Sequence, residues 1–135
     1  MQITTKTEYS LRALCELCFR EKPVSLRIIA DTQRLPLKYL EHLFRDLKSN
    51  DIVRSISGAK GGYILNKNAE NITLFDILQA VEKEISPNPC ACSLDTPYCI
   101  GLPCKFHDVW EKINLQIFEY YKKITLSEIC KEIKE

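Results

Sequence analysis

The sequence predicts a mainly α fold, in which a winged helix-turn-helix DNA-binding domain with a small two-stranded β-wing precedes a long C-terminal dimerisation helix. Three observations support this fold class. Two short helical patterns are joined by about four residues, a glycine-rich hairpin follows them, and an apolar heptad runs through the last third of the chain. The predicted parts are the winged-helix domain at 1–84, a cysteine-rich cluster-binding loop at 85–103 and the C-terminal helices at 104–135.

The first three helices follow from capping and periodicity. Thr5 and Glu8 have the spacing of a capping box, and the first helix should end before Pro23. Ser25 should cap a short second helix, and Pro36 suits the first turn of the recognition helix, predicted at about 36–49. Its apolar positions repeat with helical period and should be buried. The side chains expected to point outward, towards DNA, are Lys38, Glu41, His42, Arg45 and Lys48.

The wing is predicted at about 52–65, where the period changes from helix to strand. The segment SGAKGG between the two strands holds three of the four glycines in the chain. Glycines at a hairpin tip allow backbone amides to approach phosphates closely, and a lysine adds positive charge there. The candidate DNA contacts on the wing are Ser57, Gly58, Lys60, Gly61 and Gly62.

The C-terminal part begins with a helix of some 20 residues. Its apolar side chains step by four and three positions, which is the spacing of a heptad seam: Phe106, Trp110, Ile113, Ile117, Tyr120 and Ile124. Val109, Phe118 and Tyr121 widen the apolar surface, so one stripe could pack on the chain's own domain and another on a second subunit. The alternative is a helix that is wholly buried within one chain. A short capped helix should follow from Thr125.

The composition and charge of the chain indicate which classes of protein it can belong to. The chain has 45% apolar residues and a net charge of +1, but residues 1–67 carry a net +5 and residues 68–135 a net −4, which favours a polyanionic partner for the first half. There is neither an apolar run of membrane-spanning length nor a signal-like start, so we expect a cytoplasmic protein without a membrane partner. The sequence also has no glycine-rich nucleotide-binding loop before a helix and no recognisable set of nucleophile, base and acid, which argues against an enzyme.

Residues 90–107 hold four of the seven cysteines and one of the two histidines. Reduced cytoplasmic thiols favour a metal or redox site over disulfide staples. Cys92, Cys99, Cys104 and His107 could converge on one centre, with Cys104 and His107 at i and i+3 on the start of a helix that stabilises a thiolate. The wide, uneven spacing suits an iron–sulfur cluster better than the paired knuckles of zinc, which is the lesser possibility.

Over about residues 1–130 the chain resembles a known family. The segments that carry the resemblance are YLEHLFRDLKSNDIVRS, SGAKGGY, ITLFDILQAVE, the loop ending in C-x2-H, and ITLSEI. They are similar to the iron–sulfur-cluster and nitric-oxide-sensing regulators of the IscR/NsrR type. The resemblance implies a homodimeric transcription factor, usually a repressor, which binds a near-palindromic operator in double-stranded DNA. It also places Lys38, Tyr39 and Glu41 on the DNA-reading helix.

The resemblance implies three cysteine ligands, matched by Cys92, Cys99 and Cys104, but two assignments stay open. Cys90 is a rival first ligand, because the first interval is longer than expected. The fourth ligand is His107, which would fit a [2Fe–2S] cluster, or an acid near the N-terminus of the partner subunit, matched by Glu8, which would fit a [4Fe–4S] cluster. We favour His107 and [2Fe–2S]. The competing hypothesis is a zinc-stabilised or metal-free regulator that responds to cysteine oxidation or to a partner protein.

Three cysteines lie outside this loop. Cys15 and Cys18 form a C-x2-C on the apolar face of the first helix and are interpreted as buried structural cysteines. Cys130 is interpreted as incidental.

Overall fold

The computed structural model describes residues 3–82, 100–101 and 103–134. In these ranges the chain is mainly helical, with a small antiparallel sheet, which confirms the predicted fold class. The helices are α1 (Thr5–Arg20), α2 (Leu26–Gln33), α3 (Leu37–Ser49), α4 (Leu74–Val81), α5 (Lys105–Tyr121) and α6 (Leu126–Lys134), and the strands are β1 (Val53–Ile56) and β2 (Gly62–Leu65). A single 3-10 turn covers Ala69–Asn71.

The helix-turn-helix unit is α2 and α3. The Ser25 hydroxyl caps α2 by accepting a hydrogen bond from the Ile28 amide at 3.3 Å, as expected. α2 ends at Gln33, and its C-cap, Arg34, adopts a left-handed conformation with φ of 55°. Pro36 is the N-cap of α3 with extended backbone, one position earlier than the first helical turn to which the sequence assigned it.

The wing is a two-stranded hairpin attached directly to this unit. Val53 pairs with Leu65 and Ile56 pairs with Gly62. Backbone hydrogen bonds of 2.8 and 3.0 Å join Tyr63 to Val24, just before α2. A Cβ atom at Gly62 would lie 2.4 Å from the Val24 carbonyl carbon, so this close approach requires glycine.

The core lies between α1, α3, α4 and α6. Phe44 of α3 is fully buried, and its ring meets the Tyr63 ring edge-on with centroids 4.9 Å apart. This contact fixes the wing against the recognition helix. In the parts of the chain that the structure describes, no helix is long and apolar enough to cross a lipid bilayer.

Among the described residues two capping boxes form, and the one predicted at Thr5 does not. Thr73 with Asp76 caps α4, and Thr125 with Glu128 caps α6, with hydrogen bonds of 3.0–3.2 Å. The box predicted at Thr5 is wrong, because α1 begins at Thr5 and has Thr4 as an N-cap without a side-chain cap bond.

The Thr4 hydroxyl is engaged elsewhere. It donates to the Glu82 carboxylate, and the Thr7 hydroxyl donates to the same oxygen at 3.0 Å. The hydroxyl of the N-cap residue Thr4 is therefore bonded to a carboxylate 78 residues away and does not cap α1.

Candidate nucleic-acid interface and metal site

The outer face of α3 is polar and exposed, while its inner face is buried. Leu40, Leu43, Phe44 and Leu47 are buried in the core. The predicted outward side chains are all exposed: Lys38, Glu41, His42, Arg45 and Lys48. A helix with one face fixed in the core and a basic opposite face can enter a DNA groove without disturbing the fold.

The basic end of α3 lies beside the wing. The Lys48 ammonium donates to the Ser55 hydroxyl of β1 at 3.2 Å. Glu41, Arg45 and Lys48 line a shallow depression together with Leu26 and Tyr63. Helix α3 and the wing therefore present one continuous surface.

Tyr39 does not belong to this exposed face. Its side chain is half-buried, and its ring meets Tyr9 of α1 edge-on with centroids 5.7 Å apart. Burial raises the pKa of Tyr39, and the nearby Glu82 and Tyr9 raise it further. Tyr39 joins α3 to α1, a position distinct from that of the exposed cations.

Some residues of the wing tip are exposed, and others are required by the close packing of the backbone. Ser57, Gly58 and Lys60 are exposed. Gly58 has φ of 106°, and its carbonyl accepts from the Gly61 amide at 3.0 Å. At Gly61 a Cβ atom would lie 2.1 Å from the Ile56 carbonyl oxygen, so Gly61 and Gly62 are needed for the turn and the docking of the wing.

Of the candidate metal ligands, Cys104 and His107 lie in the described residues, while Cys90, Cys92 and Cys99 lie outside them. Cys104 is the N-cap of α5, half-buried and without a side-chain cap hydrogen bond. His107 follows it by three residues, and its side chain is 24% exposed. This arrangement leaves the Cys104 sulfur at the positive end of the α5 helix dipole.

The first two turns of α5 also carry carboxylates, at Asp108 and Glu111. The ligand atoms of His107, Asp108 and Glu111 lie within 4.8 Å of one another, and His107 Nδ1 is 3.8 Å from an Asp108 oxygen. Such a carboxylate can orient an imidazole that binds a metal through its other nitrogen. The alternative ligand Glu8 is exposed on α1, with a carboxylate oxygen 3.8 Å from Arg12.

Helix α5 buries none of its 17 residues. Phe118 packs edge-on against Phe75 of α4, with ring centroids 5.5 Å apart. Six other apolar side chains are 38–68% exposed: Phe106, Val109, Trp110, Ile113, Leu115 and Tyr120. A helix buried wholly within the core is thus excluded for the described part of the chain, and a large apolar surface is left uncovered.

Two polar contacts that support this site were not anticipated from the sequence. Glu82 ends α4 and, through Thr4 and Thr7, holds that end against the start of α1. Glu16, buried in α1, accepts from Gln33 of α2 at 2.6 Å and fixes the helix-turn-helix unit on α1. Their partners lie 17 to 78 residues away, and no local spacing signals such pairs.

Comparison with known proteins gives one consistent assignment. Residues 3–132 match the family Rrf2, described as "Iron-dependent Transcriptional regulator". The HTH-type transcriptional regulator IscR of Pectobacterium atrosepticum is 33% identical over 132 residues, which are 96% of this chain and 79% of the relative. The IscR of Vibrio campbellii, 30% identical over 134 residues, is likewise named an HTH-type transcriptional regulator, and such regulators are not enzymes.

Solved structures give the same fold. CymR, the global cysteine regulator of B. subtilis, has a TM-score of 0.78 at 31% identity and covers 98% of both chains. IscR of T. potens has a TM-score of 0.75 at 32% identity and covers 98% of this chain and 88% of that one.

Proposed function

Because the chain belongs to the Rrf2 family of iron-dependent transcriptional regulators, we propose that it is a cytoplasmic homodimeric repressor that senses iron–sulfur status, nitric oxide or redox state through an iron–sulfur cluster. Cys92, Cys99, Cys104 and His107 hold the cluster, and a near-palindromic operator is the DNA partner. The observation that carries this proposal is the position of Cys104 and His107 on the first turn of a helix whose apolar surface is uncovered.

DNA recognition rests on α3 and the wing. Lys38, Arg45 and Lys48 supply positive charge along the exposed face of α3, which enters the major groove. Lys60 at the wing tip reaches the phosphate backbone or the minor groove. Glu41 either stays away from phosphate or accepts from a cytosine amino group.

The dimer forms through α5. The exposed side chains Phe106, Trp110, Ile113 and Tyr120 lie on the heptad seam, and pairing with a second copy removes them from water. Two recognition helices then face two half-sites, which must be about 34 Å apart for one turn of DNA. A small change in the orientation of α5 alters that separation.

The donor set fits an iron–sulfur cluster better than an oxygen-loving cation. Thiolates are soft ligands, and three thiolates with an imidazole are ligands of the types that iron–sulfur centres use. Cys104 lies at the N-terminus of α5, and an Asp108 carboxylate oxygen lies 3.8 Å from His107 Nδ1. When bound, the cluster supplies a redox-active centre that nitric oxide or oxygen can destroy. Histidine ligation corresponds to a [2Fe–2S] centre, and ligation by Glu8 of the partner subunit would correspond to a [4Fe–4S] centre.

The chain's own residues connect this site to DNA binding. Segment 83–103 connects Glu82 to Cys104, the N-cap of α5. Glu82 accepts a hydrogen bond from Thr7 of α1 and lies close to Tyr39 of α3. A bound cluster would be held at the α5 end of this segment by Cys104 and His107, while Glu82 holds the other end on the DNA-binding domain through Thr4 and Thr7.

The decisive experiment is anaerobic purification, followed by iron, sulfide and zinc analysis, visible spectroscopy and operator binding. We expect a coloured protein whose absorption is lost in Cys92→Ala and retained in Cys90→Ala, which also identifies the first ligand. His107→Ala and Glu8→Ala separate the two candidate fourth ligands. A colourless protein with one tightly held zinc, or equal operator affinity of the apoprotein and the loaded protein, would contradict the proposal.

A second candidate is a metal-free regulator that responds to cysteine oxidation or to a partner protein. The likeness to the cysteine regulator CymR over the whole chain favours it, and a CymR structure of Staphylococcus aureus is described as an oxidized form. Thiol counts and operator affinity before and after peroxide treatment test this candidate. It requires that affinity change with oxidation in protein free of iron and sulfide.

A further inference from the structure

Three cysteines meet between α1 and α6. Cys15 is 2% exposed, Cys130 is 5% exposed, and Cys18 is half-buried. The Cys130 thiol donates to the Cys15 sulfur with an Sγ–Sγ distance of 2.9 Å, and Cys18 is close enough to Cys130 for that thiol to raise the pKa of Cys18. Cys130 is therefore the common neighbour of two thiols that lie more than a hundred residues away in sequence.

Helix geometry explains why Cys130 has two partners. Cys15 and Cys18 are three residues apart on α1, so they project from successive turns on the same face. Cys130 lies on the buried side of α6, which packs against α1. The Sγ atoms of Cys15 and Cys130 are less than about 1 Å farther apart than in a disulfide bond, whose length is about 2.05 Å.

We propose that Cys130 forms a reversible intrachain disulfide with α1, through Cys15 or through Cys18, and that this bond fastens α6 to α1. The site uses none of the residues assigned to the cluster, so it stands independently of the proposed function. It also gives Cys130 a role that sequence spacing did not indicate.

The oxidant is a small-molecule disulfide, and the exchange balances without any other reactant. Cys18 is the most exposed thiol of the three and lies beside a surface depression lined by Lys22 and Lys67. Its deprotonated sulfur attacks the small disulfide, which releases one thiolate that takes up the proton lost by Cys18. Cys130 then loses its proton and attacks the Cys18 sulfur, and the second small thiol leaves. A further exchange with Cys15 moves the bond to the buried pair and returns Cys18 to a thiol.

The thiol environment makes this exchange slow. The hydrogen bond with Cys130, followed by burial, raises the pKa of Cys18. The hydrogen bond with Cys15 raises the pKa of Cys130 to about 12. Neutral thiols are poor nucleophiles, so the site differs from a rapid peroxide sensor and follows the thiol–disulfide balance over longer times.

The bond would constrain the C-terminal helices. α6 follows α5 after a short connection, and the Leu126 amide already donates to the Ile72 carbonyl at 2.8 Å. Fastening α6 to α1 therefore fixes the end of α5 relative to the DNA-binding domain.

The test uses the full chain equilibrated with oxidised glutathione, quenched with acid and digested by trypsin without reductant. Cys15 and Cys18 fall in peptide 13–20, and Cys130 falls in peptide 124–131. We expect mass spectrometry to find these peptides linked, and reduction to separate them. Recovery of the two peptides unlinked, whether as free thiols or as glutathione adducts, would overturn the proposal.

Variants assign the partners. The link should form in Cys15→Ala through Cys18, form more slowly in Cys18→Ala because the more exposed entry thiol is missing, vanish in Cys130→Ala, and be unaffected in the control Cys104→Ala. The wild-type experiment does not depend on these variants folding. Because the bond closes a loop of more than a hundred residues, the melting temperature should rise by on the order of 10 °C on oxidation. A link without such a rise would overturn the claim that it fastens α6.

Discussion

Helices α3 and α5 are both amphipathic, but they differ in where their apolar side chains go. α3 buries four of its 13 residues in the core of its own chain and leaves a basic face exposed. α5 buries none of its 17 residues, and its apolar seam faces away from the described core. The comparison teaches that apolar periodicity predicts a helix but not its partner. The core of the domain covers the apolar face of α3 and leaves its polar face free to bind DNA. The apolar face of α5 requires another surface to cover it.

The largest expected effect tests the buried side of α3. Phe44→Ala removes a fully buried ring that contacts Tyr63 of the wing. We expect the free energy of unfolding, measured by urea titration, to fall by about 3–5 kcal/mol. The matched control on α5 is Tyr120→Ala, an aromatic side chain that is 63% exposed in the single chain. Equal losses in the unfolding of the monomer would contradict the contrast between the two helices.

The second prediction concerns the seam of α5. Ile113→Glu places a charge on the seam, so we expect the dissociation constant of the dimer to rise by about 100-fold or more, as measured by sedimentation. Operator affinity should fall with it, while helix content stays unchanged. Lys112→Glu adds the same residue beside the seam and should leave the dimer intact. A dimer that resists Ile113→Glu would show that another surface joins the subunits.

The third prediction tests the polar side of α3. Arg45 is exposed, so Arg45→Ala should leave the melting temperature unchanged while it weakens operator binding about tenfold. The slope of log affinity against log salt should become shallower by about one, if Arg45 contacts a phosphate. Lys131→Ala removes a charge from α6 and serves as the control. Equal losses from both variants would mean that net charge, and not the α3 face, governs binding.

The sequence predicted those features whose interacting residues lie close together along the chain. Ser25 and Thr125 cap their helices as expected, because the partners lie three residues away. The hairpin followed from its glycines, and the exposed face of α3 followed from helical period. These features depend on contacts that a short window of sequence contains.

Features that depend on distant contacts were missed or assigned differently. Thr5 does not cap α1 because it is the first residue of the helix, and the hydroxyls of the N-cap Thr4 and of Thr7 donate to Glu82, 75 to 78 residues away. Cys130 was interpreted as incidental, yet its sulfur lies against Cys15. No local pattern encodes such pairs. The ligand set containing Cys92 and Cys99 lies partly outside the described residues and stays a prediction.

The smallest expected effect on stability tests the link between the two helices. Glu82→Gln replaces a carboxylate that accepts from Thr4 and Thr7, so we expect the free energy of unfolding to fall by about 1 kcal/mol. The negative charge of Glu82 contributes to the raised pKa of Tyr39. Loss of that charge should lower this pKa towards its ordinary value in an ultraviolet titration, though burial should keep it above that value.

The exposed Glu70 provides a control, because Glu70→Gln removes an acid that is absent from the causes of the Tyr39 shift. Glu82 also anchors the start of the segment that leads to Cys104. If that anchor couples cluster binding to α3, Glu82→Gln should shrink the ratio of operator affinities between loaded and apo protein several-fold, although stability changes little. A normal ratio together with a lowered Tyr39 pKa would show that Glu82 supports the fold without transmitting the signal from α5 to α3.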